Sequence, residues 1–402
     1  MKSCGLIVEY NPFHYGHQYH LRQSKLVTGA DCMIAVMSGN FLQRGEPAII
    51  DKFHRAKVAI KQGVDIVVEL PYAYAVQNSD FFAKGAVLTL GALDVSHICF
   101  GSENGDIDAF TKAHQKFEHN KHNFSEQLKS NLTKGLSFPE ANRLAYQSIG
   151  LTEGRLDLAQ PNNILGFSYI KNILEFYPSI NPTTIKRMSS HYHDKDINNK
   201  IASATSIRKQ LLLTRQLSDE VTFATPTDTQ LSLNNYLVKA GLWHEWECYF
   251  QLLQYRVLTM SPNELQSIHG MDEGFEYRLK QSAQQAVDFA SWMDLLKTKR
   301  YTHTRIQRIL THVLINSKRH DMEKILKSNQ PPYIRLLGMS EIGQAYLSKI
   351  KRKINVPLFT SLRKDPLLKL DEQATDAYYS VISPIKRHEL KQQELSPPFI
   401  RK

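Results

Sequence analysis

The stretch GLIVEYNPFHYGHQYHL, residues 5–21, joins an apolar run to the start of a helical pattern. The run at 5–8 has the composition of a buried strand, and the Asn-Pro step after it favours a turn. His14 and His17 then flank a tyrosine and a glycine where the helical pattern begins. In open α/β sheets ligands bind where a strand ends and the next helix starts, so this order predicts a ligand site.

Apolar runs rich in Val and Ile alternate with helical patterns through the first half of the chain. The predicted strands are residues 3–9, 32–39, 65–71, 97–103 and 183–188, and the helical patterns between them include 17–27, 55–63, 79–93 and 162–174. Strands covered on both faces give such continuous runs, and alternation with helices implies a parallel sheet with right-handed crossovers. The sequence therefore predicts an α/β fold with a parallel sheet.

The segment 217–235 is rich in Ser, Thr and Asp and contains a proline, which indicates a boundary. Helical patterns dominate after it. We therefore expect an α/β domain over 1–216, a linker over 217–235 and a mainly helical domain over 236–402. In THTRIQRILTHVLIN, residues 302–316, apolar spacings of three and four predict a buried stripe made by Ile306, Ile309, Leu310, Val313 and Leu314.

Composition limits the class of protein. With 402 residues and 42% hydrophobic content the chain can bury a large core. It shows no secretory leader pattern and no apolar run of about 18 residues, so we expect a cytoplasmic protein. The four cysteines are widely separated, which argues against a disulfide framework or a structural zinc site.

The formal net charge is +11, and most of the excess lies after residue 240. A basic excess of this kind attracts polyanions, most often nucleic acid. Solubility alone also accounts for a moderate excess, so charge by itself leaves the partner open.

The residues at the first helix start suit a phosphate. Backbone N–H groups at a helix start are unpaired and attract anions. Gly16 lacks a side chain where a phosphate would approach, and His14 and His17 can aim two imidazole donors at one anion. Such a pair would stabilise charge that grows on phosphorus during attack. Two polar residues that merely cap a helix would give the same pattern.

A second helix start, in IASATSIRK, offers hydroxyl groups and an arginine at Ser203, Thr205, Ser206 and Arg208. Hydroxyls, free N–H groups and a guanidinium together form an anion cradle. A well-capped helix explains the same residues when they are taken alone. Two cradles in one α/β domain suit a triphosphate.

GLIVEYNPFHYGH and IASATSIR together resemble the two motifs of the HxGH nucleotidyltransferase superfamily, which binds ATP on a Rossmann-like sheet. More closely, the chain is similar to the tRNA(Met) cytidine acetate ligases. The segments that carry this resemblance are VEYNPFHYGHQYHL, residues 37–71, GSE, PNNILGFSYIK, ASATSIRK and KRYTHTRIQRIL. Residues 37–71 are the specific part, because HxGH alone does not separate this family from its relatives.

The resemblance implies a reaction in two steps. Acetate attacks the α-phosphate of ATP to give acetyl adenylate and pyrophosphate, and the acetyl group then passes to the exocyclic amine of the wobble cytidine of elongator tRNA(Met). That amine is a poor nucleophile because its lone pair is delocalised into the ring. ATP with Mg²⁺, acetate and tRNA(Met) are thus the implied cofactors and partners, although no carboxylate cluster marks a dedicated metal site.

The resemblance also implies residue roles. His14 and His17 would be the catalytic pair that faces the phosphates, and Gly101 would pass under the nucleotide. The full set expected to bind ATP is Ile7, Val8, Glu9, Tyr10, Asn11, Pro12, Phe13, His14, Tyr15, Gly16, His17, Gln18, Tyr19, His20, Leu21, Gly101, Asn162, Asn163, Arg187, Ser203, Thr205, Ser206 and Arg208.

Two basic segments have open interpretations. In KTKRYTHTRIQR an RNA backbone could follow the basic side chains while Tyr301 stacks on a base, although charge runs are usually solvated surface. The expected RNA contacts are Lys297, Lys299, Arg300, Arg305 and Arg308. In the loop SGNFLQRGEP and just after it, Arg44 or Lys52 could supply positive charge to pyrophosphate or tRNA, and an ordinary solvated turn is the alternative.

Three other functions stay open. Another HxGH adenylyltransferase would act on a mononucleotide or a small carboxylate, but the basic helical second half counts against it. A class I aminoacyl-tRNA synthetase should carry a KMSKS-type loop, for which ASATSIRK is a poor match. A nucleotide-regulated RNA-binding protein without catalysis would not need both histidines.

Overall fold

The computed structural model describes residues 1–154, 156–187 and 202–401. Within these ranges the chain forms an eight-stranded sheet. Its strands are β1 (Ser3–Val8), β2 (Cys32–Ser38), β3 (Ile66–Leu70), β4 (His97–Ser102), β5 (Asn181–Lys186), β6 (Ile334–Ser340), β7 (Leu358–Phe359) and β8 (Phe399–Arg401). The five predicted strands are confirmed as β1 to β5; residue 188, the predicted end of the fifth, lies outside the described residues.

The strand order is β5-β4-β1-β2-β3-β6-β7, with β8 paired to β6. Strands β1 to β5 pair in parallel, so the predicted fold class is confirmed. The chain builds outward from β1 through β2 to β3 and then returns to the other side of β1 with β4. Ligands bind at the carboxyl ends of the strands where the order reverses in this way, which here is the crevice between β1 and β4.

The central strands are buried on both faces because successive side chains point to opposite sides of a sheet. On β2, Cys32, Ile34 and Val36 enter one core, and the intervening Met33, Ala35 and Met37 enter another. The continuous apolar runs of the sequence therefore reflect two apolar layers rather than one.

The helices of the described residues cover both faces and extend into the second half of the chain. They are α1 (Tyr15–Thr28), α2 (Lys52–Lys61), α3 (Tyr72–Ala75), α4 (Ser79–Ala92), α5 (Ile107–His119), α6 (Lys121–Thr133), α7 (Phe138–Ser148), α8 (Pro161–Phe176), α9 (Ala204–Thr214), α10 (Asp219–Ala224), α11 (Thr227–Ala240), α12 (Trp246–Thr259), α13 (Pro262–Gln266), α14 (Phe275–Gln285), α15 (Phe289–Leu296), α16 (His303–Ile315), α17 (Arg319–Leu326), α18 (Glu341–Ile350), α19 (Lys369–Tyr379) and α20 (Pro384–Leu395). None of these helices is long and apolar enough to cross a bilayer. The stripe predicted on α16 is buried, with Leu314 only partly so.

The segment predicted as a linker is helical. Residues 219–224 and 227–240 form α10 and α11, and α11 packs on α2 of the α/β half. The part predicted as mainly helical also supplies three strands, since β6 pairs antiparallel with β3 and carries β7 and β8 on its far side. The second half therefore completes the sheet, and the division into two domains stays a prediction.

A buried cluster of charges joins the two halves. The Nζ atom of Lys52 lies 2.8 Å from Glu69 Oε2 and 3.0 Å from Glu394 Oε1. Arg335 contacts both carboxylates as well, and the four side chains are at most 4% exposed. Two positive and two negative charges offset one another's desolvation. The sequence interpretation of Lys52 as a charge for pyrophosphate or tRNA is therefore wrong, because its ammonium group is enclosed in this cluster.

Replacing Lys52 by methionine tests the cluster. The change leaves two carboxylates buried with one cation, and we expect the free energy of unfolding to fall by about 3–5 kcal/mol. The measurement is urea unfolding followed by tryptophan fluorescence.

Lys61→Met is the matched control on the same helix. Lys61 forms a partly exposed pair with Asp228 at 3.0 Å, so its loss should change the free energy of unfolding by less than about 1 kcal/mol. Equal losses in the two variants would contradict the special role of Lys52.

Candidate active site at the ends of β1, β4 and β5

The loop after β1 turns sharply and is held from several sides. Tyr10 has a φ of 48°, and the Asn11–Pro12 peptide is cis. The Asn11 side-chain oxygen accepts the backbone N–H of Ile49 at 2.8 Å. The Phe13 carbonyl accepts the hydroxyl of Thr229 at 2.9 Å. These bonds fix the loop just before α1 begins, so residues from both halves of the chain position the helix start.

The two motif histidines cap α1 reciprocally. His14 is the N-cap residue, and its Nδ1 accepts the backbone N–H of Gly16 at 3.0 Å. His17 reaches back, and its Nδ1 accepts the backbone N–H of His14 at 3.3 Å. The ring centroids lie 3.8 Å apart. The interpretation of this motif as a helix cap is therefore confirmed, and it leaves the other ring nitrogens available for chemistry.

These caps determine where each imidazole carries its proton. Burial lowers the pKa of His14 to about 3, with the positive charges of Arg187 and Arg208 acting in the same direction. Burial also lowers the pKa of His17 well below its usual value, and both rings are therefore neutral near pH 7. Because each Nδ1 accepts a hydrogen bond, each proton lies on Nε2. Neither Nε2 has a hydrogen-bond partner among the described residues, so two neutral donors remain for a ligand.

Gly101 and Arg187 meet beside the histidines at the ends of β4 and β5. The backbone N–H of Arg187 donates to the Ser102 carbonyl at 2.9 Å. A Cβ at Gly101 would lie 3.2 Å from Arg187 Cγ, so the glycine lets the arginine lie close to the strand. Arg187 is exposed to solvent as a residue, yet the protein around its guanidinium desolvates that group and lowers its pKa. The positive charge of Arg187 also lowers the pKa of His14 and of His17, so the arginine lies close enough to act on both rings.

The start of α8 is tied to the loop after β4. Asn163 Oδ1 accepts the backbone N–H groups of Glu103 and Asn104 at 3.1 and 3.3 Å. Asn162 donates to Glu103 Oε1 from its backbone N at 3.1 Å and from Nδ2 at 2.6 Å. Both asparagines therefore bond to this loop, while Asn163 Nδ2 donates to the Asp157 carbonyl at 3.0 Å. Glu103, to which the sequence analysis gave no role, lies at the centre of the loop.

The second motif reaches the first through its arginine. Arg208 donates to the Asn11 carbonyl at 2.9 Å and to Glu46 Oε2 at 3.3 Å. Ser203 and Ser206 bond mainly to each other in the cap of α9, while Thr205 is exposed. Ile201, which the motif also includes, lies outside the described residues. Arg208 is thus the member of this motif that the structure places at the candidate site.

The fifteen consecutive residues predicted to bind ATP differ in what their side chains contact. Val8, Tyr10, Phe13 and Leu21 belong to the apolar core, and Ile7 packs against the other core. Gln18 donates to Gln62, the residue that follows α2, at 2.7 Å. Any contact between the core residues and a nucleotide would come from their backbone, because their side chains are buried in the protein.

The predicted RNA-contact residues divide into two groups. Lys297, Lys299 and Arg300 are exposed. Arg305 pairs with Asp272, and its guanidinium lies 4.7 Å from the centre of the Tyr301 ring. Phe275 stacks on the same ring at 4.2 Å, and Tyr301 is only 8% exposed. The prediction that Tyr301 stacks on a base is therefore wrong, because protein groups already cover its ring.

Arg308 points into the protein, where its guanidinium bonds to the segment between α3 and α4. Burial lowers the pKa of Arg308 to about 10, and its guanidinium donates to the Gln77 carbonyl at 3.2 Å. The same carbonyl accepts Gln43 Nε2 at 2.7 Å, and the backbone N–H of Gln43 donates to Glu9 Oε1 at 2.8 Å. A hydrogen-bonded path thus runs from the end of β1 to α16.

Gly45 allows the loop that follows β2 to lie against α16. Its φ is 80°, and a Cβ there would lie 2.5 Å from the backbone N of Arg308. Thr311 Oγ1 donates to the Gly45 carbonyl at 2.7 Å. The sequence analysis missed Gln43, Gln77 and Glu103. Gln43 and Glu103 lie in segments that it named, residues 37–71 and GSE, whereas Gln77 had no such signal.

The protonation state of the histidine pair can be measured directly. We expect His14 and His17 to be neutral Nε2–H tautomers at about pH 6, where an ordinary histidine with a pKa of about 6.5 is mostly charged. The measurement is ¹⁵N NMR of ring-labelled histidine, with His14→Asn and His17→Gln used to assign the signals. A charged ring at either position would contradict the hydrogen-bond geometry.

Comparison with known proteins gives one answer over the whole chain. Residues 1–394 match the family model described as HIGH Nucleotidyl Transferase. The chain is 53% identical over 402 residues to the tRNA(Met) cytidine acetate ligase of Oceanobacillus iheyensis, and the match covers 100% of both chains. It is 46% identical over 406 residues to the tRNA(Met) cytidine acetate ligase of Bacillus subtilis (strain 168), and this match covers 100% of this chain and 97% of the relative. Against Thermotoga maritima TmcAL bound with alpha-thio ATP, the TM-score is 0.90 with 33% identity over 100% of both chains. The chain therefore belongs to the tRNA(Met) cytidine acetate ligases, a family of HIGH nucleotidyl transferases.

Proposed function

We propose that this protein is an ATP-dependent ligase that forms acetyl adenylate from acetate and ATP and acetylates the exocyclic amine of the wobble cytidine of elongator tRNA(Met). The observation that carries the proposal is the pair of neutral Nε2–H donors at the start of α1, beside Arg187. Support also comes from the relatives named tRNA(Met) cytidine acetate ligase and from the relative bound with alpha-thio ATP. Because the acceptor would be a tRNA, the activity would lie in the cytoplasm.

In the first step an acetate oxygen forms a bond to the α-phosphorus of ATP. The bond from that phosphorus to the bridging oxygen breaks, and pyrophosphate leaves with the electron pair. Negative charge increases on the phosphoryl oxygens around the bond that breaks. His14 and His17 would donate their Nε2 protons to these oxygens in hydrogen bonds, and Arg187 would supply a positive charge. Neutral donors suit this role because they stabilise charge without transferring a proton to the leaving group.

In the second step the cytidine amine attacks the acetyl carbon, AMP leaves, and the amine loses one proton. The anion-binding groups that held the α-phosphate in the first step would then stabilise AMP as the leaving group. A fixed helix start can serve both steps because the same phosphate carries the charge in each.

Mg²⁺ accompanies ATP in most nucleotide sites, yet the described residues do not offer it a dedicated set of ligands. No three His, Cys, Asp or Glu side chains gather into a metal-binding group within the described ranges. Mg²⁺ retains several waters and binds substrate phosphates readily, so it would reach this site on the nucleotide.

The exposed basic segment next to α16 would guide the RNA. Lys297, Lys299 and Arg300 lie at the surface, where phosphates can reach them, and α16 itself touches the loop that leads back to β1. Positive charge at a surface connected to the ATP site is the arrangement that an RNA acceptor requires.

Replacement of His17 by glutamine tests the first step. Glutamine at this position of a capping box can still accept the His14 N–H, so the helix cap is retained while the imidazole donor is lost. We expect acetate-dependent ATP–pyrophosphate exchange to fall by at least about 100-fold.

The control for His17→Gln is His122→Gln, at an exposed position on α6. It should leave exchange unchanged. Normal exchange in His17→Gln, with the fold intact by circular dichroism, would refute the role of the histidine.

Double replacement of Lys299 and Arg300 by alanine tests the RNA surface. We expect weaker tRNA binding, and the slope of log affinity against log salt should fall by about 0.7 to 0.9 for each phosphate that the variant no longer neutralises. Acetate-dependent exchange without tRNA should not change, because no hydrogen bond or ion pair among the described residues joins these two side chains to α1.

The matched control is Lys351→Ala with Arg352→Ala, which removes the same charge from another exposed site in the second half. It should leave tRNA affinity nearly unchanged. If exchange fell in the Lys299 and Arg300 variant while tRNA affinity held, the RNA assignment would be wrong.

A further inference from the structure

Glu103 is held rigidly at the edge of the candidate ATP site. It follows β4 directly, and its backbone N–H donates to Asn163 Oδ1 at 3.1 Å. Its Oε1 accepts two hydrogen bonds from Asn162, at 3.1 and 2.6 Å. Backbone and carboxylate are therefore both fixed, and the direction of the second carboxylate oxygen is fixed with them.

That second oxygen has no partner. Glu103 Oε2 is buried and accepts no hydrogen bond from the protein within the described residues. A buried carboxylate oxygen without a donor is costly, and such groups in native structures call for an explanation. A ligand that brings a donor to this position would satisfy it.

The neighbours of Glu103 limit which part of ATP that donor belongs to. The backbone N–H of Arg187 donates to the carbonyl of Ser102, the residue before Glu103, at 2.9 Å, so the glutamate follows the strand that lies between those of the arginine and the histidines. Phosphate oxygens are negative acceptors, and a carboxylate repels them. Glu103 therefore marks the point where the phosphate part of the ligand ends and a neutral donor begins.

In ATP the first neutral donors beyond the α-phosphate are the ribose hydroxyls. The adenine amine lies at the far end of the nucleoside. Dinucleotide-binding Rossmann sites also use an acidic side chain as the acceptor for a ribose hydroxyl, so a carboxylate is chemically suited to this contact. A ribose hydroxyl is therefore the neutral donor of ATP that lies nearest to its phosphates, as a carboxylate next to the anion-binding groups requires.

We propose that Glu103 Oε2 accepts a hydrogen bond from a ribose hydroxyl of ATP and makes the site selective for ribonucleotides. The inference rests on the proposed function in that it requires ATP at this site. It adds a specificity residue to that function: Asn162 orients the carboxylate, and Glu103 recognises the sugar.

The test compares ATP with 2′-deoxy-ATP and 3′-deoxy-ATP in the wild-type protein and in Glu103→Gln. In the wild type, kcat/KM for exchange should be about 10- to 100-fold lower for at least one deoxy analogue, because the carboxylate loses its donor. In Glu103→Gln, the amide oxygen keeps the bonds from Asn162 and places an NH₂ group where Oε2 was. Discrimination should then fall to within about twofold, since the amide NH₂ group cannot accept a hydrogen bond.

Several outcomes would overturn the proposal. Equal use of ATP and both deoxy analogues by the wild type would do so, and so would an equal loss for all three nucleotides in Glu103→Gln, which indicates a merely structural role. Purine riboside triphosphate lacks the adenine amine; if the variant lost discrimination against that analogue instead, Glu103 would face the base. Glu126→Gln, an exposed change on α6, is the control and should keep wild-type selectivity.

Binding measured by calorimetry separates this inference from the proposed function. If the wild type shows no acetate-dependent exchange, the ligase assignment fails, yet the affinities for ATP and the deoxy analogues still test Glu103. Tighter binding of ATP in the wild type, with that preference lost in Glu103→Gln, would support the inference. Equal affinities in the wild type would contradict it.

Discussion

Two backbone N–H groups at the start of α1 donate to the Nδ1 atoms of His14 and His17, and the candidate site depends on these bonds. Every α-helix begins with unpaired N–H groups, and side chains commonly satisfy some of them. Here the side chains are imidazoles, which have a second nitrogen. Helix capping therefore fixes the proton on Nε2, and burial keeps each ring neutral. Structural and chemical roles coincide in one turn of helix.

The remaining groups are positioned around this turn by distant parts of the chain. Gly101 on β4 lets Arg187 lie close to that strand, and the charge of Arg187 acts on both histidines. Arg208 holds the carbonyl of Asn11, and Thr229 holds that of Phe13. The buried cluster formed by Lys52, Glu69, Arg335 and Glu394 attaches the last part of the chain to β3 and α2. The second half thus supports the site in addition to offering a basic surface.

Local patterns predicted the parts of the molecule that depend on local structure. Strands β1 to β5 and the helix at α1 follow from apolar runs and from turn and cap residues, and each was identified. Strand β6 was not identified. It is a single apolar run outside the βα alternation, and its pairing with β3 is visible only in the structure. The helices at 219–240 were missed because Ser, Thr and Asp also suit helix starts.

Side-chain roles were less predictable where partners are far apart in sequence. The enclosure of Lys52 depends on Glu394, and the covering of Tyr301 depends on Phe275; neither relation leaves a spacing pattern. The histidine pair was identified because both members and their glycine lie within four consecutive residues. Glu103 lay within a recognised segment, yet only the geometry of Asn162 and the buried oxygen distinguishes it.

The carbonyl of Gln77 accepts a hydrogen bond from each of two distant segments, through Gln43 and Arg308. A carbonyl oxygen has two lone pairs, and both are used here in a buried place. Loss of either donor removes one of the two hydrogen bonds that hold the Gln77 carbonyl in place, so the remaining bond is less well positioned. The fold should therefore tolerate a double substitution at positions 43 and 308 more readily than the two single substitutions predict. Correlated substitutions at these two positions among relatives would indicate that both residues bond to the same carbonyl.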